Sequence, residues 1–420
     1  MSFLSKRIDL WILSYYFILI VVQLLMAIRE IELGGTMRAI FTTFVFFPTF
    51  LRPSWFPFTL VLFVGTSINS FICLIPSSLV FSLLFSLVVG LLHFRKFGYS
   101  PLICIAIYFL FISLVNLDME SGFVFMIIIT LISSAFVRNN DDLTIFLLSF
   151  LLLSLYLSVI FIVMRDQFIV HFDGTDIERG GWTNPNGFGG TISCGVVLAA
   201  GYLMNFFIIK NNNILKLLSI ITIVVTLIAL ALNASRGALF SAIIGIALFV
   251  LFSNIKLRYK ITIPIILICI FIILESIGYF ELLEYRMDEE GSGGTLSYRT
   301  VIWQKKITAF MDLDFFSQFV GIGLTNVKNF GMVYSTHNDF VSALIGFGFL
   351  GLTLFVVLLL YPIIKVKKHF KIPTYILLLF ILMECIVLEP FFRGMLTYFF
   401  MYLFIYKNIS LSEIINPRTR

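Results

Sequence analysis

Four short stretches hold the residues in this apolar chain whose types could do chemistry. The first is Glu178-Arg179-Gly180-Gly181-Trp182-Thr183-Asn184-Pro185-Asn186. Asn184 followed by Pro185 has the form of an N-cap and a first helical position, where proline's fixed φ and missing N–H cost nothing. Arg179 reads either as a snorkelling or loop-pairing residue or as an anion ligand. The second stretch is Asn233-Ala234-Ser235-Arg236-Gly237-Ala238. Ser235 is placed to cap the helix that follows, which leaves Arg236 in its first turn. A cation there opposes the helix dipole, so an anion is expected beside it, either an acidic side chain or a ligand phosphate. The third is Ser297-Tyr298-Arg299 with Trp303, and the fourth is Ser335-Thr336-His337-Asn338-Asp339, where Thr336 or Asn338 can cap. His337 differs from His93 and His369, which adjoin basic segments, and from His171, which has no motif around it. Helix N-termini offer free N–H groups and a positive dipole end, and arginine offers a planar, permanently charged fork. Together they suit a lipid-linked phosphate or diphosphate at headgroup depth.

The elements that must position these residues are transmembrane helices. Of 420 residues, 60% are hydrophobic and 12% are charged, against about 25% charge in a soluble domain. Mean hydropathy is +1.04. Apolar runs of roughly 17–25 residues recur, each long enough to cross a hydrocarbon core. Backbone groups in lipid must satisfy themselves, and barrel alternation is absent, so the runs are helices. The expectation is an all-α integral membrane protein, a single polytopic domain over 1–420, with about 12–14 transmembrane helices. The spans fall near 8–28, 37–51, 56–73, 76–92, 101–116, 121–137, 142–164, 185–209, 214–233, 236–253, 261–280, 338–364, 372–389 and 393–408. The first is too long for a signal peptide and lacks a small-residue cleavage site, so it is expected to be retained.

Orientation follows from the basic residues of short loops. Lys6, Arg7, Arg95, Lys96, Lys256, Arg258, Lys260, Lys365, Lys367, Lys368 and Lys371 share one side, which sets both termini in the cytoplasm. The net charge of +6 is mostly that signature; no basic face is interleaved with aromatics, so nucleic acid is excluded as a partner. Cys73, Cys104, Cys194, Cys269 and Cys385 lie in apolar runs without shared spacing and read as buried small residues. No internal repeat supports an inverted-repeat transporter. Two outward loops are long, about 165–184 and about 281–337, and they place function on the outer face. The larger carries a flexible Gly291-Ser292-Gly293-Gly294 turn and a helix from Ser297 onward with Trp303, Ile307, Phe310 and Met311 on one face. That helix is expected to lie on the outer leaflet, with Arg299 and Lys306 near headgroups.

In this order the motifs resemble the O-antigen ligase and O-antigen polymerase superfamily. The resemblance rests on Arg179 through Asn186, on Ser235-Arg236-Gly237, and on Ser297-Tyr298-Arg299 with Trp303. It continues through Gly321-Ile322-Gly323 to His337-Asn338 and Gly348-Phe349-Leu350-Gly351. It covers about residues 175–355. It implies a GT-C-like glycosyltransferase fold in the bacterial cytoplasmic (inner) membrane, active at its periplasmic or external face. The implied reaction is metal-independent, needs no cofactor, and acts on glycans linked to undecaprenyl diphosphate. Polymerases join one lipid-linked repeat to another, sometimes with a chain-length regulator protein. Ligases pass the glycan to lipid A-core, and some relatives glycosylate proteins. The modest loop and its single histidine favour a polymerase.

Within that resemblance Arg179, Arg236, Arg299 and His337 are the candidate catalytic residues, and Asn184, Asn186, Ser235, Trp303, Asn338 and Asp339 the candidate substrate-binding ones. Fixed arginines can stabilise a departing diphosphate without a metal. A histidine, with an ordinary pKa of about 6.5, suits deprotonation of an acceptor hydroxyl; Asp339 is the alternative base, or a further part of the cap. A flippase or other transporter is the rival class. It would use intramembrane charges such as Glu275, Glu384, Glu389 and Arg393.

Overall fold

The computed structural model describes residues 7–28, 35–64, 129–130, 132–164, 169–171, 178–180, 185–233, 235–276, 295–332, 336–366, 370–388, 390–391 and 396–415, with single helical positions at 88, 108 and 111. Apart from those single positions the expected spans 76–92 and 101–116 fall outside them, as does about half of each of 56–73 and 121–137.

The described chain is a helical membrane protein. Helix α1 (Arg7–Ile28) is followed by α2 (Gly35–Leu51), a 3-10 turn over Pro53–Trp55, and α3 (Phe56–Thr59), which runs into a π turn over Leu60–Val64. Asp9 of α1 pairs with Arg52 and accepts from Trp55 Nε1 at 3.0 Å, which ties α1 to that turn. Next come α4 (Asn140–Val163), α5 (Pro185–Leu203), α6 (Asn213–Leu232), α7 (Arg236–Phe252) and α8 (Leu257–Ser276). The outer segment contributes α9 (Thr295–Met311), α10 (Phe315–Val320) and α11 (Leu324–Val327). The chain closes with α12 (Asp339–Lys365), α13 (Lys371–Val387) and α14 (Leu396–Ile415). Three of these, α4, α6 and α12, are long and apolar enough to cross a membrane by length and composition.

The 165–184 stretch, read from sequence as loop alone, holds a short antiparallel ribbon of β1 (Ile169–His171) and β2 (Glu178–Gly180), with Val170 opposite Arg179. The expected 185–209 span stops earlier: α5 ends at Leu203 and Asn205 takes a positive φ of 59°. Asparagine tolerates that left-handed conformation better than most residues.

Helix α5 lies at the centre, packed against α4, α6 and α7, and α7 packs in turn on α13. Small polar side chains tie α4 to α6, with Ser158 Oγ donating to Thr226 at 3.1 Å. At one end of the bundle Asn140 Nδ2 donates to the Ile208 carbonyl at 3.1 Å, and the Ile208 amide donates to Asn408 Oδ1 at 3.2 Å. The start of α4, the chain after α5 and the end of α14 therefore share that end. The starts of α5 and α7 lie at the other, as an up-and-down chain requires.

Helix α12 is broken at Gly348, where φ is 69° and ψ is −171°. The carbonyls just before the break, Ile345 and Gly346, accept from the amides of Ile322 and Gly323, both at 3.0 Å. The turn after α10 thus docks into the kink.

Candidate functional site

Helix α9 presents Arg299, Trp303, Lys306 and Phe310 at i, i+4, i+7 and i+11, a spacing that puts all four on one face. The first three donate to backbone carbonyls of other segments. Arg299 Nη1 reaches the Val387 carbonyl at 3.2 Å. Val387 ends α13, and the last carbonyls of a helix lack partners within it, so a cation is well placed there. Trp303 Nε1 donates to the Thr336 carbonyl at 2.6 Å. Lys306 Nζ lies among the carbonyls of Val327, Phe330, Met332 and Lys328. Phe310 closes the row, fully buried with Val327, Val341, Leu344 and Ile345.

This corrects the sequence expectation for α9. Its apolar face packs on α11 and α12, not on a leaflet. Lys306 has 0% exposure where a headgroup contact was expected, and Met311 is 49% exposed rather than part of the packed face. Periodicity identifies an apolar stripe without saying what covers it, and here the chain's own carbonyls and side chains do so.

Trp303 leads to the His337 turn. His337 is half-buried and holds a φ of 48°, in the left-handed region that costs a non-glycine residue about 1–3 kcal/mol. Its neighbours secure it. The Thr336 hydroxyl is 2.5 Å from that of Ser342, and Asn338 caps α12 by accepting from the amides of Phe340 at 2.9 Å and Val341 at 3.1 Å. Asparagine, not Thr336, is thus the cap. Asp339 is fully buried, and its carboxylate accepts from the Phe391 amide at 3.1 Å. That bond joins the start of α12 to the turn after α13.

The starts of α5 and α7 meet at the same end. Ser235 Oγ donates to Asn186 Oδ1 at 3.4 Å. Ser235 occupies the N-cap position of α7, yet its side chain makes no cap bond, contrary to expectation, because its hydroxyl is turned to Asn186. A Cβ on Gly237 would sit 2.5 Å from Val387 Cγ1, so only glycine lets α7 approach α13 this closely. Val387 is the meeting point: its side chain packs on Gly237 and its carbonyl receives Arg299. Arg236 opens α7 and Arg179 lies in β2; their backbones are described and their side chains are not. Trp182, Asn184, Glu389 and Arg393 lie outside the described residues.

One helical turn before Val387, Glu384 is buried in the packed core. Ser241 Oγ of α7 donates to its Oε1, and beside it Tyr398 of α14 donates to the Gly190 carbonyl of α5 at 3.0 Å. Four helices are knitted together by this small polar cluster. Sequence reading noted Glu384 as an intramembrane charge and missed Ser241, 143 positions away. Cys194 and Cys385 are free and buried nearby. Among the described residues no three His, Cys, Asp or Glu side chains gather where they could hold a metal ion.

Three helix starts, an arginine and a histidine turn at one end of the bundle are groups that can hold an anion. Residues 221–356, about a third of the chain, match the family model described as O-Antigen ligase, in keeping with the O-antigen ligase and polymerase superfamily. That family implies a glycosyl-transferring enzyme. The matched stretch contains Ser235, Arg236, the α9 face and the His337 turn, and stops short of Val387; the Arg179–Asn186 stretch lies before it. No curated protein matches the chain.

Proposed function

We propose that the protein transfers glycan from undecaprenyl diphosphate to an acceptor hydroxyl at the outer face of the cytoplasmic membrane, polymerising O-antigen or capsule-type repeats. The observation that carries the reading is the meeting of the α5, α7 and α12 starts with Arg299 and His337 at one end of the bundle. Helix N-termini and a guanidinium would receive the charge that develops on the departing diphosphate. His337 would take the proton of the attacking hydroxyl. Asn186 and Ser235 join the starts of α5 and α7, Trp303, Asn338 and Asp339 hold the His337 turn and the start of α12, Arg179 precedes α5 and Arg236 opens α7. Transfer to lipid A-core or to protein would use the same chemistry with a different acceptor. Transport gains no support from the family match, and the buried Glu384 is engaged by Ser241 within the core.

The test is purified protein with a synthetic lipid-diphosphate-linked repeat. Polymerase activity yields a ladder of longer lipid-linked glycans and free undecaprenyl diphosphate. Longer products only when lipid A-core is added would shift the reading to a ligase. An unchanged donor with every acceptor would sink glycosyl transfer.

A further inference from the structure

The Lys306 ammonium is wholly buried, with the carbonyl oxygens of Val327 at 2.6 Å, Phe330 at 2.8 Å, Met332 at 3.0 Å and Lys328 at 3.2 Å. Carbonyl oxygens only accept. An ammonium has three N–H bonds and no lone pair. A neutral amine has two N–H bonds and would point its lone pair at an oxygen. Four acceptors around one nitrogen therefore select the charged form by geometry alone.

The four oxygens come from the end of α11 and the turns that follow it. That segment closes on itself through short-range bonds, Phe330 N to Asn326 O at 3.0 Å and Met332 N to Phe330 O at 2.7 Å. Gly331, at φ 66°, passes directly over α9: a Cβ there would lie 3.1 Å from Ala309 and 3.3 Å from the Lys305 carbonyl. One turn earlier on α9, Trp303 holds the Thr336 carbonyl. Two residues of one helix face thus grip both ends of the chain that delivers His337.

We propose that Lys306 is a tethered cation around which residues 327–332 fold, and that it is a positioning residue for the His337 turn. The second half rests on the glycan-transfer reading, which gives His337 its role; the first half does not. The ammonium does what a bound metal ion does in loops that gather backbone carbonyls, with the charge built into the chain.

The test uses the full-length protein in lipid nanodiscs. Lys306→Ala removes Cγ through Nζ, the outline of n-propylammonium. Amide hydrogen exchange across 327–332 should speed up at least about tenfold, since charge-assisted bonds are lost. Added n-propylammonium should restore slow exchange, and 1-propanol, uncharged and of similar shape, should not. Lys306→Met keeps the bulk without the donors and should exchange as fast as Lys306→Ala, which covers poor folding of the alanine variant. In glycan transfer, kcat should fall about 10²-fold, the cost of a displaced reacting group, with KM for the lipid-linked donor little changed. The double variant with His337→Ala should then be no slower than His337→Ala alone. Slow exchange in both variants, or rescue by propanol as well, would overturn the tethered cation. Fast exchange with wild-type transfer, or losses that multiply in the double variant, would overturn the positioning of His337. Absence of transfer by the unmodified protein would instead overturn the reading of the reaction, and the exchange result would stand.

Discussion

Replacing Gly348 by alanine should undock the turn after α10 from α12, whereas the same change two residues earlier, at Gly346, should be tolerated. Gly348 combines φ 69° with ψ −171°, a region that is essentially glycine's alone and costs another residue about 1–3 kcal/mol. A Cβ there would also lie 2.3 Å from the Phe319 carbonyl oxygen and 2.6 Å from the Gly321 amide nitrogen. Both are backbone atoms, so the segment must move. The bonds from Ile322 and Gly323 to Ile345 and Gly346 then go, at about 1 kcal/mol each. The total, roughly 3–5 kcal/mol, raises the undocked population by roughly 10²–10⁴-fold. Gly346 has ordinary helical backbone, and a Cβ there would meet its nearest neighbours, Leu324 and Val327, at 3.4 Å, a normal contact. The assay is amide exchange of Ile322 and Gly323 in nanodiscs, whose rates follow local opening. Gly348→Ala should accelerate both by that factor, and Gly346→Ala should leave them within a few-fold of wild type. Equal rates in the two variants would refute the argument that the kink demands glycine.

Three further outcomes are expected. Arg299→Lys should lose most glycan transfer at a normal membrane level, because a point charge cannot keep the guanidinium's fork while reaching the Val387 carbonyl; full activity would remove Arg299 from the site. His337→Ala should lower the single-turnover rate about 10²–10⁴-fold. His337→Gln, which can hydrogen-bond but cannot take a proton, should be about as slow as His337→Ala; a wild-type rate in the Gln variant would exclude His337 as the base. Glu384→Gln should preserve folding, since its amide oxygen can still accept from Ser241, whereas Glu384→Ala leaves that hydroxyl only the Ala238 carbonyl of its own helix, removes the bond from α7 to α13 and leaves a cavity, and should lower the thermal midpoint in detergent; equal midpoints would show that the cluster does not hold the helices.

The helices were legible in the sequence because lipid allows few alternatives. A long apolar run with its own backbone bonds has to be a helix, and Pro185, Arg236 and Asp339 open α5, α7 and α12 close to where capping chemistry puts them. What escaped is what depends on distant partners. Ser235 has the chemistry of a cap, but Asn186, 49 positions earlier, competes for its hydroxyl. Lys306 looks like a snorkelling lysine until four carbonyls from the following turns surround it. Gly348 is visible as a glycine among glycines, and only the close approach of Phe319 and Gly321 shows why that one is kinked. Each case turns on a backbone group or a buried polar atom for which hydropathy carries no signal.

The same dependence explains how an apolar bundle can hold a polar site at its edge. Three helix starts bring partial positive charge to this end, and the helix ends that alternate with them, α13 beside Arg299 among these, bring partial negative charge. Left bare, the Val387 carbonyl would repel the anion that the starts attract. Arg299 sits against that carbonyl, so its first effect is to cancel the unfavourable partial charge of the α13 terminus. Trp303 and Lys306 treat the carbonyls of the His337 segment in the same way, through Thr336 and residues 327–332. These backbone oxygens are turned onto the α9 side chains. On this view α9 is the element that makes the end of the bundle electropositive: its three donors gather the acceptors that a diphosphate would otherwise have to avoid.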